Sequence, residues 1–147
     1  MKQLEFSIQI NAPKSKVWSI LLDDATYRQW AGVFSPGCYA EGDWSEGSKI
    51  LFLSAERSGM SSMIAKHIPN EFISIQHLGM VANGVEDFDS PETKKWSGAL
   101  ENYTATESGG VTDLRVEMDT VADHEDYFQE TWPKALQKVK ELAEAHL

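Results

Sequence analysis

The chain has 147 residues, 41% of them hydrophobic and 24% charged, enough for one domain (1–147) with a substantial core and too few for two. Its net charge of -10 and pI near 4.8 repel a phosphate backbone or an anionic bilayer, which sets nucleic acid aside as an expected partner. Cys38 is the single cysteine, so no intramolecular disulfide can form and a reducing, cytoplasmic setting is expected.

Leu4, Phe6, Ile8 and Ile10 alternate with Gln3, Glu5, Ser7 and Gln9, which predicts a strand with one buried face and not a signal peptide. No later run is long enough to span a bilayer. "NAP" breaks the strand, and Pro13 suits the first turn of a helix whose apolar side is Val17, Trp18, Ile20, Leu21 and Leu22. "DDATYRQW" predicts a second short helix, with an aspartate able to cap it and Trp30 near its end.

From about Pro36, turn signals recur at "SEGS", "ERSG", "IPNE", "ANG" and "ESGG", between stretches rich in β-branched and aromatic residues. Strands are expected near 38–43, 48–56, 60–68, 71–81, 95–106 and 111–120. In the last, Leu114, Val116 and Met118 run opposite in phase to Arg115, Glu117 and Asp119. "KILFLSA" is apolar on both faces, so its pattern does not choose between Leu51 and Phe52 as the inward residue.

A final helix is expected to start near Asp123, capped by that aspartate, with Glu125 and Asp126 at the positive end of its dipole. Phe128, Trp132, Leu136 and Val139 follow at spacings of four, four and three, and the stripe keeps its phase through Pro133. That continuity predicts one kinked helix instead of two. Glu130 with Lys134 and Lys140 with Glu144 mark a solvated opposite face. Strand, two helices, six strands and a long helix give an α+β fold with an antiparallel sheet. There is no internal repeat and no low-complexity tract.

Four stretches, "INAPKSKVWSILLDDATYRQW", "GDWSEGSKILF", "ENYTATESGGVTDLRVEMD" and "EDYFQETWPKALQKVKELAE", resemble the START-like, or helix-grip, superfamily (SRPBCC). The wording is most similar to the branch named for the activator of the ninety-kilodalton heat-shock chaperone's ATPase. The resemblance implies a curved antiparallel sheet wrapped around the C-terminal helix, with an internal cavity between them. The superfamily includes lipid and sterol carriers, hormone-binding proteins, aromatase/cyclases and chaperone activators, so fold alone does not fix function.

On that implied cavity the candidate lining is Trp30, Phe34, Trp44, Phe52, Met63, His67, Trp96, Tyr103, Phe128, Trp132 and Leu136. The same large side chains also suit a solid core. His67 and His77 fall on neighbouring predicted strands and could hydrogen-bond a ligand, act as a general base, or serve as satisfied structural residues. Glu101 and Tyr103 share a parity in "LENYT"; together they could polarise a carbonyl, or a bulge could separate them. Arg57 reads as a turn residue or as a contact for an acidic head group. His124 and His146 are expected to be exposed, near the ends of the last helix. "VEDFDSPETKK" reads as a solvated loop placed to cover one end of the cavity, and lacks the pattern of a calcium loop.

The four histidines and one cysteine make no zinc spacing. No phosphate loop, dinucleotide fingerprint or nucleophile elbow occurs, and neither metal nor cofactor is expected. Three functions follow in order: a carrier of a small hydrophobic or amphipathic ligand (a lipid, an aromatic or a polyketide-like metabolite), a co-chaperone-like module docking on a chaperone, and a cyclase or hydrolase using Glu101, Tyr103, His67 or His77.

Overall fold

A computed structural model describes residues 1–145; the expectation for His146 lies outside them. Strand β1 (Lys2–Ile10) leads into α1 (Lys14–Leu22) and α2 (Asp24–Ala31). Strands β2 (Tyr39–Gly42), β3 (Lys49–Leu53), β4 (Gly59–Ile68), β5 (Phe72–Ala82) and β6 (Val85–Asp87) follow. A one-turn helix α3 (Pro91–Lys94), strands β7 (Ala99–Ser108) and β8 (Val111–Thr120), and helix α4 (Glu125–Glu144) complete the chain.

All strands join one antiparallel sheet in the order β1-β8-β7-β5-β4-β3-β2, with β6 beside β5. Between β4 and β5 the register shifts at Ser61/Ser62 and again at Ile64/Lys66. Such irregularities bend a strand and sharpen its twist. The result is the α+β fold anticipated from the sequence: a curved sheet with the long C-terminal helix against it. Phe6 of β1 stacks on Trp132 of α4 at 6.1 Å between ring centroids. Val17 and Leu21 of α1, Leu114 and Val116 of β8, and Leu136 and Val139 of α4 are sealed in the core.

Helix α4 runs unbroken through Pro133, which lies on its exposed face. Proline has no N–H to give the carbonyl four residues back. On the outer face water can serve that acceptor, so the defect sits where it is least expensive and the apolar stripe passes intact. The opposite face is less solvated than expected at its C-terminal end. Lys140 and Glu144 meet at 2.6 Å and tie the helix to the end of β1, through the Gln9 carbonyl and the Asn11 amide.

Several expected details are corrected. Asp23 precedes α2, but its side chain makes no cap bond. Asp123 falls inside a short 3-10 turn (Ala122–His124), so the helix begins two residues later and Asp123 does not cap it. The segment "VEDFDSPETKK" is no plain loop. Asn83 and Gly84, with φ of 50° and 81°, make the two-residue turn that folds β6 back on β5. Ser90 then caps α3 through the Thr93 amide. Residues 95–98 complete that turn, which is why β7 starts at Ala99 and not near 95.

Candidate functional site

Between the sheet, α2 and the first half of α4 lies a cavity of about 470 Å³, within the range of small-molecule sites. Trp30, Phe34, Tyr103, Phe128 and Trp132 line one side. They interlock: Phe34 meets Trp132 edge-on at 4.8 Å, and Trp30 lies 6.2 Å from Trp132 and 6.3 Å from Tyr103. Phe52, Met60 and Met80 add to the lining from β3, β4 and β5. The indole N–H groups of Trp30 and Trp132 are already satisfied, by the Leu21 carbonyl at 3.2 Å and by Met118 Sδ at 2.8 Å. Both rings therefore meet the cavity as apolar surface.

One wall carries a polar chain. Ser62 Oγ lies 2.7 Å from His77 Nδ1, and His77 Nε2 lies 3.1 Å from Glu101 Oε1. The Tyr103 hydroxyl donates to Glu101 Oε2. The register creates this cluster, because Ser62 pairs with His77 across β4 and β5, while Glu101 and Tyr103 sit two apart on the inner face of β7. Every donor is used if Ser62 O–H donates to Nδ1 and Nε2–H donates to the carboxylate, an assignment made from the network.

Burial pushes the Glu101 carboxyl up. The hydrogen bond and charge of His77 and the bond from Tyr103 outweigh it and hold the group below its ordinary value. Burial first, then the Glu101 charge, drives the Tyr103 phenol well above the usual range. Tyr27 is raised in the same way by burial, with lesser contributions from Cys38 and Glu101. Cys38, also on the lining, is raised by burial and partly lowered again by Arg28. The pocket thus combines an ionised carboxylate with neutral phenols and a neutral thiol.

Of the residues singled out from sequence, Trp30, Phe34, Phe52, Trp96, Tyr103, Phe128 and Trp132 line the cavity, joined by His77 and Glu101. Four expectations are corrected. Trp44 lines only a separate, water-sized pocket of about 20 Å³. Leu136 is packed solidly in the core, 2% exposed. Met63 falls between the inward-facing Ser62 and Ile64 and so belongs to the other face of β4.

His67 has both ring nitrogens engaged, one accepting from Trp18 Nε1 at 2.9 Å and one bonded to the Trp44 carbonyl at 2.9 Å. It clamps β4 to α1 and to the turn before β3. Arg57 is a turn residue with φ of 59°, paired with Tyr39 and Glu41. His124 is exposed at the rim.

Sequence reasoning passed over Tyr27, although its spacing of three from Trp30 puts both on one face of α2. It also missed Ser62, Met60 and Met80, whose placement depends on the register shift in β4 and β5.

Among the described residues no group of histidine, cysteine and carboxylate side chains is arranged to hold a metal, and no helix is long and apolar enough to cross a membrane.

Comparison with known proteins agrees with this architecture. The model of a family described as activator of Hsp90 ATPase homolog 1-like protein matches residues 11–144. No curated protein matches the sequence. Among solved structures, protein MLL2253 from Mesorhizobium loti superposes with a TM-score of 0.76 at 16% identity, covering 99% of both chains. The Aha1 dimer from Colwellia psychrerythraea gives 0.72 at 20% identity, over 98% of this chain and 97% of that one. CalU16 from Micromonospora echinospora gives 0.68 at 17%, over 97% and 76%. At these identities the likeness carries the fold alone.

Proposed function

The chain belongs to the family of activator of Hsp90 ATPase homolog 1-like proteins, and from that fold and its interior we propose that it binds a small hydrophobic or amphipathic ligand between the sheet and α4. The observation that carries this reading is the open aromatic cavity of about 470 Å³ with the His77–Glu101–Tyr103 cluster on its wall. A ligand burying roughly 200 Å² of apolar surface there gains about 5 kcal/mol. Part of that gain is offset by lost translation and rotation. The polar cluster then fixes orientation, the usual division of labour in such sites.

Native mass spectrometry with fluorescence titration tests it, using a panel of lipids, flavonoids and polyketide-like aromatics. Saturable one-to-one binding that quenches tryptophan emission is expected. No complex with any member of the panel would remove this reading.

The family match favours a second reading, a module acting on a heat-shock chaperone. Its test is the ATPase rate of a cognate chaperone with and without the protein; an unchanged rate and no complex would end it. The lone thiol at Cys38 fits a cytoplasmic location for either role.

A further inference from the structure

Histidines aside, the charged side chains around the cavity are of one sign. Glu101 and Asp119 are on its lining, and no lysine or arginine is among the lining residues described. Two arginines touch the lining residue Tyr39, and each is already paired. Arg28, 5.0 Å over the Tyr39 ring, bonds Asp24; Arg57, bonded to the Tyr39 hydroxyl, bonds Glu41. Asp119 is turned to the Leu100 amide. Glu101 is therefore the carboxylate set deepest in the apolar surroundings, with its side chain 21% exposed.

Four aromatic residues share its end of the site. Tyr27, Trp30, Phe52 and Tyr103, like Glu101, border both the main cavity and the neighbouring water-sized pocket, so all five gather at one end of the site. A carboxylate offers about four lone-pair positions. His77 and Tyr103 use two, one on each oxygen, which leaves acceptor capacity on a residue that lines the cavity. Those two donors also hold the carboxyl below its ordinary value, so it stays ionised under neutral conditions.

Resting on the reading of this cavity as a ligand site, we propose that the ligand it takes is a lipophilic cation, an amine whose ammonium sits against Glu101 within the box of Tyr27, Trp30, Phe52 and Tyr103. Aromatic faces attract a cation electrostatically, more strongly once it is desolvated. An ammonium bond to an ionised acceptor is stronger than its neutral counterpart. A ligand carboxylate in the same place meets a like charge in a poorly solvated pocket whose lining holds no lysine or arginine to balance it. The arrangement therefore disfavours free fatty acids, although its apolar volume would suit an acyl chain.

The test is isothermal titration at physiological salt with three compounds sharing one aromatic body: naphthylethylamine, naphthylethanol and naphthylacetate. The amine should bind wild-type protein at least about tenfold tighter than the alcohol, and the acetate more weakly than the alcohol. In Glu101→Gln the amine should fall to the level of the alcohol, which separates the pocket from non-specific attraction to the acidic surface.

The wild-type ranking decides even if that variant does not fold. Binding of the alcohol with no advantage for the amine, or with the acetate tightest, overturns this inference and leaves the ligand-site reading standing. Failure of all three to bind also overturns this inference, while the ligand-site reading is decided by the lipid, flavonoid and polyketide panel.

Discussion

Glu101 is the polar centre of the site, and its replacement separates charge from hydrogen bonding. In Glu101→Ala, His77 Nε2–H and the Tyr103 hydroxyl lose their shared acceptor. Each buried donor left without a partner costs about 1–3 kcal/mol, so a loss of about 2–6 kcal/mol is expected from a domain stability of about 5–15 kcal/mol. Glutamine keeps the shape and can keep the network. Its carbonyl accepts from Tyr103, its amide donates to His77 Nε2, and His77 then donates from Nδ1 to Ser62. Charge assistance is lost while desolvation is relieved, so Glu101→Gln should change stability by only about 1 kcal/mol near neutrality.

The two proteins should part company in acid. The folded carboxyl lies below its ordinary value of 4.5. Its contribution is therefore present above about pH 4.5 and is lost as pH falls through the folded value. Glutamine has nothing to protonate, so any advantage of the wild type over Glu101→Gln should shrink on acidification. Asp43, Glu86, Asp87 and Glu144, also held low by their hydrogen bonds, lose stability in both proteins alike. Urea unfolding followed by tryptophan emission across this range measures it. A wild-type advantage that stays constant with pH, or an alanine variant as stable as wild type, refutes the reasoning.

Three further substitutions probe the scaffold. Pro133→Ala restores an amide in the interior of α4 on its exposed face; it should gain up to about 3 kcal/mol and raise the melting midpoint by up to about 10 °C, and an unchanged midpoint means the proline is not strained there. Trp132→Ala removes a ring 2% exposed that meets Phe6, Trp30, Phe34 and Tyr103, and chemical denaturation should show a loss of about 3–5 kcal/mol; a loss below about 1 kcal/mol contradicts its place in the packing. Gly59→Ala puts a Cβ 1.9 Å from the Phe52 carbonyl oxygen, so little folded protein should be recovered; a normal melt argues against the pairing of Leu53 with Gly59.

The fold was legible because its long elements carry one clear period each. Alternation set the inward face of β1 and β8, and the stripe from Phe128 to Val139 held its phase across Pro133. Short elements escaped. β6 has three residues and exists because an Asn-Gly turn returns it to β5; α3 has a single turn and depends on the Ser90 cap.

The site was half legible for a related reason. Large aromatics announce themselves on any helix or strand, whereas His77 meets Ser62 and Glu101 only through cross-strand pairing. Local periodicity also left β3 open: Phe52 borders the cavity, edge-on to His77 at 5.8 Å, an orientation that pairing with β4 decides. His67 looked equivalent to His77 along the chain. The difference lies in Trp18, which reaches it from α1 and occupies the nitrogen a ligand would need.

The most direct test is a crystal of the protein soaked with brominated naphthylethanol, a neutral probe that does not depend on the charge of Glu101. Anomalous density for bromine is expected inside the sheet, within contact of Trp30, Phe34 and Trp132. An interior that is solid and excludes the probe, with no bromine bound between the sheet and α4, would contradict it.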